Sequence, residues 1–488
     1  MELKDKTLLI DKNYIEGKWQ SSVTGEVFEI FDPASGLGIG TCPESSTKDV
    51  EAAIAAAEAA FQFWGSTMPR ERARVLRRWA ELILENEDDV ALIITRENGK
   101  IFADARKEVL MAAQYLEWFS EEAPRIYGDT ISPSSSSLAE ITVRKEPIGV
   151  CGLITPWNFP AAMVTRKIGP ALAAGCTVVL KSAGETPLTA NALVALGVRA
   201  GIPKGVVNVV SAMSNTVEVG SVICRSNIVR KISFTGSTRV GKLLMEQSSP
   251  TLKKLSLELG GNAPFIVFED ADLDIAVSSL LNNKFRCSGQ TCVCANRIYV
   301  QGSIFERFQG KLKKAIAGLK LGPASSPQST MGPLITSAAV NRVSALVNDA
   351  VQSGAEIIIG GECCADLGPC YYKPTILTNM NPTMRIAQEE IFGPVACLFP
   401  FDSEQDLIKK ANDCDVGLAA YLFTQTLDRI SRLSRNLQFG MIAINTGIVA
   451  DPAAPFGGVK HSGLGREGSK YGIDDYVQLK SIVTGSGS

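Results

Sequence analysis

The stretch RKISFTGSTRVGKLLMEQ, residues 230–247, decides the fold. It opens as a short apolar run through Ile232 and Phe234, turns at Thr235-Gly236-Ser237, and continues from Thr238 with apolar residues at helical spacing. A strand that passes through a Gly turn straight into a helix is half of a βαβ unit. It leaves backbone N–H groups and a hydroxyl at a helix N-terminus, a natural anion site. Outward from it, GVCGLI (149–154), CTVVLK (176–181), GVVNVV (205–210) and PFIVF (264–268) alternate with helical stretches such as ANALVALGVRAG (190–201). Strands apolar on both faces and interleaved with helices predict an α/β fold on a doubly wound parallel sheet, with ligands at the carboxyl ends of the strands.

Upstream, Ser46 and Thr47 are candidate N-caps for the helical stretch 49–64, and RERARVLRRWAELILENEDDVALIITREN (70–98) reads as a long amphipathic helix. The Ser- and Pro-rich segment 129–146 reads either as a linker or as a protruding hairpin. Downstream, a second α/β run spans about 296–445, with strands near RIYVQ, EIIIG, CLFPF and MIAIN. The tail is Gly-rich and then alternates like an edge or intersubunit strand, and its final GSGS reads as a flexible end.

A chain of 488 residues has room for about three domains. With 49 basic and 51 acidic residues, its net charge of -2 offers no footprint for nucleic acid. The opening MELKDKTLLIDKN has no apolar run after a basic start, and no apolar stretch reaches the roughly 18 residues of a membrane span. Twelve cysteines without a leader point to a reducing, cytoplasmic setting. The single histidine, His461, excludes a His-rich metal site, and no metal is expected. Acid–base chemistry must then fall to carboxylates, lysines or cysteines.

Two glycine patterns suggest nucleotides only superficially. Gly236–Leu243 nearly matches a P-loop, but Leu243 stands where a Mg²⁺-holding hydroxyl belongs; Gly463–Gly468 matches G-x-G-x-x-G without a preceding strand and reads as a turn. Cys292 follows the polar turn Ser288-Gly289-Gln290-Thr291, a setting suited to presenting a nucleophilic thiol, although an inert structural thiol stays open. Glu258, between leucines and ahead of Gly260-Gly261, reads either as an outward strand residue or as a general base of raised proton affinity. Asn158, held between Pro156 and Pro160, reads as a turn residue or as an oxyanion donor.

Together, TPWNFP, FTGSTRVG, LELGGNAPFIV, GQTC, EEIFGP and PFGGVKHSGLGREG, in this order, resemble the aldehyde dehydrogenase superfamily over nearly the whole chain. Within it, KFRxxGQTCVCANR, INTGI and SGLGREGSKYGIDDY are most similar to the succinate-semialdehyde branch. The resemblance implies a Rossmann-type parallel-sheet cofactor domain (1–126 and 146–257), an α/β catalytic domain (258–472) and a small oligomerisation β element (127–145 and 473–488) in a homodimer or homotetramer. It implies that Cys292 attacks the aldehyde, that Asn158 and the Cys292 N–H hold the oxyanion, and that Glu258 activates water. NADP or NAD would lie along Trp157, Lys181, Gly236, Ser237, Glu390 and Phe392. Phe159, Arg166 and Arg286 would take the substrate, the two arginines its carboxylate, with Asp451 nearby; Cys294, and also Cys287, would be redox partners of Cys292.

One departure concerns the cofactor: Gly184 stands where the family carries a carboxylate toward the adenosine ribose, so NADP is expected to be accepted, with Glu185 as a partial substitute. The expected reaction is oxidation of succinate semialdehyde or a similar carboxylated aldehyde. The alternatives are an amino-aldehyde or neutral aldehyde as substrate, CoA as acyl acceptor, and a non-catalytic binding protein.

Overall fold

The computed structural model describes residues 2–486. After four short strands between Asn13 and Pro43, residues 47–122 are mainly helical. Helix α1 (Thr47–Trp64) starts at Ser46 through a capping box, in which the Asp49 carboxylate accepts from the Ser46 N–H at 2.8 Å. The run 70–98 is two helices, α2 (Pro69–Glu85) and α3 (Glu87–Asn98), where the periodicity predicts one. Asn86 causes the break: its side-chain amide donates to the Leu82 carbonyl at 2.8 Å while its own backbone leaves the helical region, the competition that disfavours Asn inside helices. Gly99, in the left-handed region at φ 77°, ends α3 and leads into α4 (Phe102–Glu122).

The first sheet has at its centre five parallel strands in the order Val207–Val210, Thr177–Lys181, Val150–Ile154, Val229–Thr235, Lys254–Glu258. Numbered along the chain this is 3-2-1-4-5, the doubly wound arrangement. Helices α5 (Ala162–Ala174), α6 (Pro187–Arg199), α7 (Thr216–Arg225) and α8 (Thr238–Ser248) connect its strands. Antiparallel strands flank both sides, Asn13–Ile15 and then Lys18–Gln20 at one and Gly463–Leu464 at the other.

The run at 264–268 does not join this sheet. The fifth strand is Lys254–Glu258, whose polar alternation hid it, and the chain crosses at Gly260-Gly261 to a second sheet of seven strands beginning with Ala263–Val267. Six strands of that sheet are parallel; only Glu356–Ile359 runs against its neighbour. Segment 129–146 is a hairpin: Asp129–Ile131 pairs with Leu138–Pro147, and the tail strand Val477–Gly485 pairs with its other side. Gly487 and Ser488, the last residues of the expected 473–488 element and of the GSGS end, lie outside the described residues. Among the described residues no helix is long and apolar enough to cross a membrane.

Candidate active site

The crossing from one sheet to the other builds the site. Glu258 ends the fifth strand, level with Thr235, and its backbone carbonyl accepts from the Gly236 N–H at 3.0 Å. Gly260 and Gly261 follow, and at Gly261 a side chain would collide with backbone. A Cβ on Gly261 would lie 2.4 Å from the Cys292 carbonyl oxygen, and one on Gly260 would lie 2.8 Å from Glu390 Oε2. The backbone thus lets the Cys292 and Glu390 loops close on the end of the strand. Glu390 Oε1 accepts from the Gly261 N–H at 3.2 Å, and Arg342 holds the Glu390 carbonyl at 2.7 Å.

The result is a cavity of about 480 Å³ lined by Trp157, Asn158, Glu258, Cys292, Glu390 and Phe392, with Gly236 and Ser237 at one end. Phe159, Arg166 and Arg286 also line it. Cys292 is half-buried after a left-handed turn in which Cys287, Ser288 and Gly289 all have positive φ; the turn is pinned by the Ser288 hydroxyl donating to the Gly332 carbonyl at 2.6 Å. The Asn158 side-chain amide donates to the Gln290 carbonyl at 2.9 Å, which leaves its second N–H free for a ligand. Trp157 and Phe392 meet edge to face at 5.6 Å.

Burial dominates the electrostatics. It pushes the Cys292 thiol up to about 12, with the Glu390 and Glu258 charges adding to the effect and Arg166 opposing it. Glu258 is 2% exposed and neither of its carboxylate oxygens has a hydrogen-bond partner; burial first, then the Glu467 charge, holds its carboxyl well above the ordinary range. Glu390 is raised to about 7, mainly by burial. Behind Glu258, Glu467 binds both Lys167 and Arg166, the latter at 2.6 Å between Nε and Oε2, and these cations bring its carboxyl down to about 2 against the cost of burial.

Asp451 and Cys294, like Lys181, are candidates from the sequence that fall outside the cavity wall. Asp451 is exposed, its carboxylate turned back to accept from the Ala453 N–H at 2.8 Å; this local turn satisfies it, while its neighbour Ala450 lines the cavity instead. Cys294 is buried, its thiol aimed at the Lys284 carbonyl at 3.8 Å, and all twelve cysteines are free. A disulfide with Cys292 or Cys287 would require the Cys294 thiol to leave that pocket. His461 is half-exposed, with Asp415 4.0 Å away.

The aldehyde dehydrogenase family model matches residues 19–482. The chain belongs to the aldehyde dehydrogenase family. It is 50% identical to 3-sulfolactaldehyde dehydrogenase of Pseudomonas putida over 99% of both chains. It is also 50% identical to an NADP(+) succinate-semialdehyde dehydrogenase of Schizosaccharomyces pombe, over 97% of this chain and 94% of that one. The crystal structure of succinate-semialdehyde dehydrogenase from Burkholderia pseudomallei superposes with a TM-score of 0.98 at 50% identity, covering 100% of each chain.

In this aldehyde dehydrogenase, Ser237 is the N-cap of α8 and accepts from the Val240 N–H at 3.4 Å, so the helix terminus faces the Gly236 end of the cavity. Lys181 lies at the carboxyl end of its strand, outside the cavity wall and 5% exposed, without a hydrogen-bond acceptor among the described residues; burial lowers it to about 8. Beside it the Ser182 hydroxyl is buried and unpartnered, and so is the Thr235 hydroxyl. A Cβ on Gly184 would meet the Met213 sulfur at 2.9 Å and the Ala212 carbonyl at 3.0 Å, so Met213 fills the place of a longer side chain. Ser182, Arg342, Lys167 and Glu467 escape sequence reading: Ser182 carries no spacing signal, and the other three are brought in by tertiary contacts alone.

Proposed function

We propose that the chain oxidises a carboxylated aldehyde, succinate semialdehyde first among them, to the acid with NADP or NAD. The observation that carries the substrate class is the pair of guanidinium groups on the cavity wall. Arg166 is ion-paired with Glu467 through Nε, yet neither Nε nor the buried Nη2 has a hydrogen-bond partner, and Arg286 stands 5.8 Å over the Phe159 ring at the same wall. A planar fork with a free donor is the group that binds a carboxylate or another oxyanion. The named substrates of the two relatives are anionic aldehydes as well.

The residues present fit a dinucleotide. The α8 terminus suits a pyrophosphate, and Lys181 with the unpartnered Ser182 hydroxyl suits the adenosine ribose and its 2′-phosphate. When bound, the nucleotide supplies the hydride acceptor.

Everything else falls to side chains. The Cys292 thiol, protonated at neutral pH, gives its proton to a base as its sulfur bonds the aldehyde carbon, and the oxygen of the resulting thiohemiacetal takes the free Asn158 N–H. Loss of hydride leaves a thioester. Glu258 removes a proton from water, the hydroxyl bonds the acyl carbon, and the C–S bond breaks to return Cys292. An unpartnered buried carboxylate of raised proton affinity supports that role.

We further read residues 1–126 and 146–257 as the cofactor domain and 258–472 as the catalytic domain. The β element built from 127–145 and the tail, with Ile131, Leu479 and Val483 exposed, is read as the joint of a homodimer or homotetramer working in the cytoplasm. A steady-state panel of succinate semialdehyde, an amino-aldehyde and a neutral aldehyde with both cofactors tests the reading. It predicts the highest kcat/KM for the semialdehyde with NADP; a preference for the amino-aldehyde would refute the substrate class.

A further inference from the structure

Residues 98–108, which the mechanism does not use, hold the oxyanion loop from behind. Gly99 is in the left-handed conformation, and a Cβ there would meet the Pro333 ring at 2.7 Å, so the Asn98-Gly99-Lys100 turn is pressed against the rest of the fold. From this turn the Asn98 amide donates to the Trp157 carbonyl at 2.9 Å. The Lys100 ammonium donates to the Asn158 carbonyl at 2.9 Å and is ion-paired with Glu108 of α4. The other Glu108 oxygen accepts from the Ala161 and Ala162 N–H groups at 2.8 and 3.3 Å. Two carbonyls at one end of the 157–162 turn and two N–H groups at the other are thereby fixed by three side chains.

We propose that Lys100 and Glu108 are positioning residues that set the direction of the Asn158 amide, and through it the oxyanion site. The proposal rests on the reading of Asn158 given above. Their side chains are 0% and 1% exposed. A fully buried ion pair is a poor source of stability, because desolvation cancels most of the attraction. Its value here lies in geometry: the ammonium fixes the peptide plane that follows Asn158, and its approach to 4.1 Å over the Phe159 ring fixes the next side chain as well. Because the Arg286 guanidinium lies over the same ring, the clamp ties the oxyanion donor to the group proposed to hold the far end of the substrate.

The test is a double-mutant cycle on the full chain with saturating cofactor. The Lys100→Met/Glu108→Gln variant removes both charges together, so no unpaired charge is left buried, and the single Glu108→Gln variant, which keeps the Lys100 ammonium against the Asn158 carbonyl but removes its counter-charge, supplies a second perturbation. Each is measured alone and combined with Asn158→Ala, with melting temperature and nucleotide dissociation constant alongside.

The proposal predicts that the pair variant lowers kcat about 10- to 100-fold, the range for a displaced catalytic group, with nucleotide affinity within about twofold. In the Asn158→Ala background the same changes should cost almost nothing more. Full multiplication of the two losses, or an unchanged kcat in the pair variant, overturns the clamp while leaving the oxyanion reading intact. A wild-type kcat in Asn158→Ala overturns the oxyanion reading and the clamp with it. If the pair variant does not fold, the same outcomes are read from Glu108→Gln.

Discussion

Replacing Glu467 with Gln should change the stability of the protein and the pH profile of the reaction together. The Glu467 carboxylate is 4% exposed and carries two cations, Lys167 at 0% and Arg166 at 2% exposure. Removing one partner of a buried charge pair costs about 3–5 kcal/mol, because the remaining charge stays desolvated. With two cations left facing a neutral amide, the upper part of that range applies, less whatever Glu258 returns by ionising in its place. For a chain of this length the melting temperature should fall by about 4–5 °C.

The pH effect has a definite sign. The base role proposed for Glu258 requires it deprotonated, so activity is expected above its pKa and lost below it. The Glu467 charge raises that pKa, and Arg166 and Lys167 lower it. Without Glu467 the cations act unopposed, so the acid limb of the kcat profile should move to lower pH. Differential scanning calorimetry and a kcat profile from pH 5 to 9 measure both. An acid limb that stays in place or moves up would refute the electrostatic coupling, whatever the melting temperature does.

Three further outcomes are expected. Arg286→Ala should raise KM for succinate semialdehyde by about 10-fold or more, the scale of a lost charge-assisted hydrogen bond, and leave KM for a neutral aldehyde nearly unchanged; equal effects on both would remove the carboxylate argument. Gly184→Glu brings a carboxylate against Met213, whose sulfur would lie 2.9 Å from the added Cβ, and should shift kcat/KM from NADP toward NAD by at least about 10-fold, a shift of opposite sign being decisive against it. Gly261→Ala puts a Cβ 2.4 Å from the Cys292 carbonyl and should lower kcat more than about 100-fold by displacing the proposed nucleophile, with nucleotide binding retained; near-normal turnover would mean the loop relaxes freely.

Much of this fold is legible in the sequence because its decisive elements carry local signals. The strand-turn-helix at 230–247 and the capping residue Ser46 fall where apolar spacing and turn chemistry place them. The errors have local causes too. Asn86 splits a helix by a side-chain bond that periodicity does not register, and Lys254–Glu258 is concealed because its polar residues bond to the tail: the Ser256 hydroxyl donates to Asp475, and Lys254 to the Asp474 carbonyl.

At the site, Cys292, Glu258 and Asn158 stand out because each sits at a turn with Gly or Pro beside it. Asp451 is misplaced by sequence reasoning because only the backbone shows that its carboxylate bonds two residues ahead. Lys100, Glu108 and Glu467 give no signal at all. Their roles come from partners about 50 to 300 residues away in the chain, contacts that exist only after folding.

The central claim is that Cys292 carries the acyl group and Glu258 releases it. The most direct measurement is intact-protein and peptide mass spectrometry of the Glu258→Ala variant after a single turnover with succinate semialdehyde and NADP. The account predicts reduced cofactor in an amount equal to active sites and one succinyl group on the peptide containing Cys292. Reduced cofactor with no bound acyl group, or an acyl group on another residue, would contradict it.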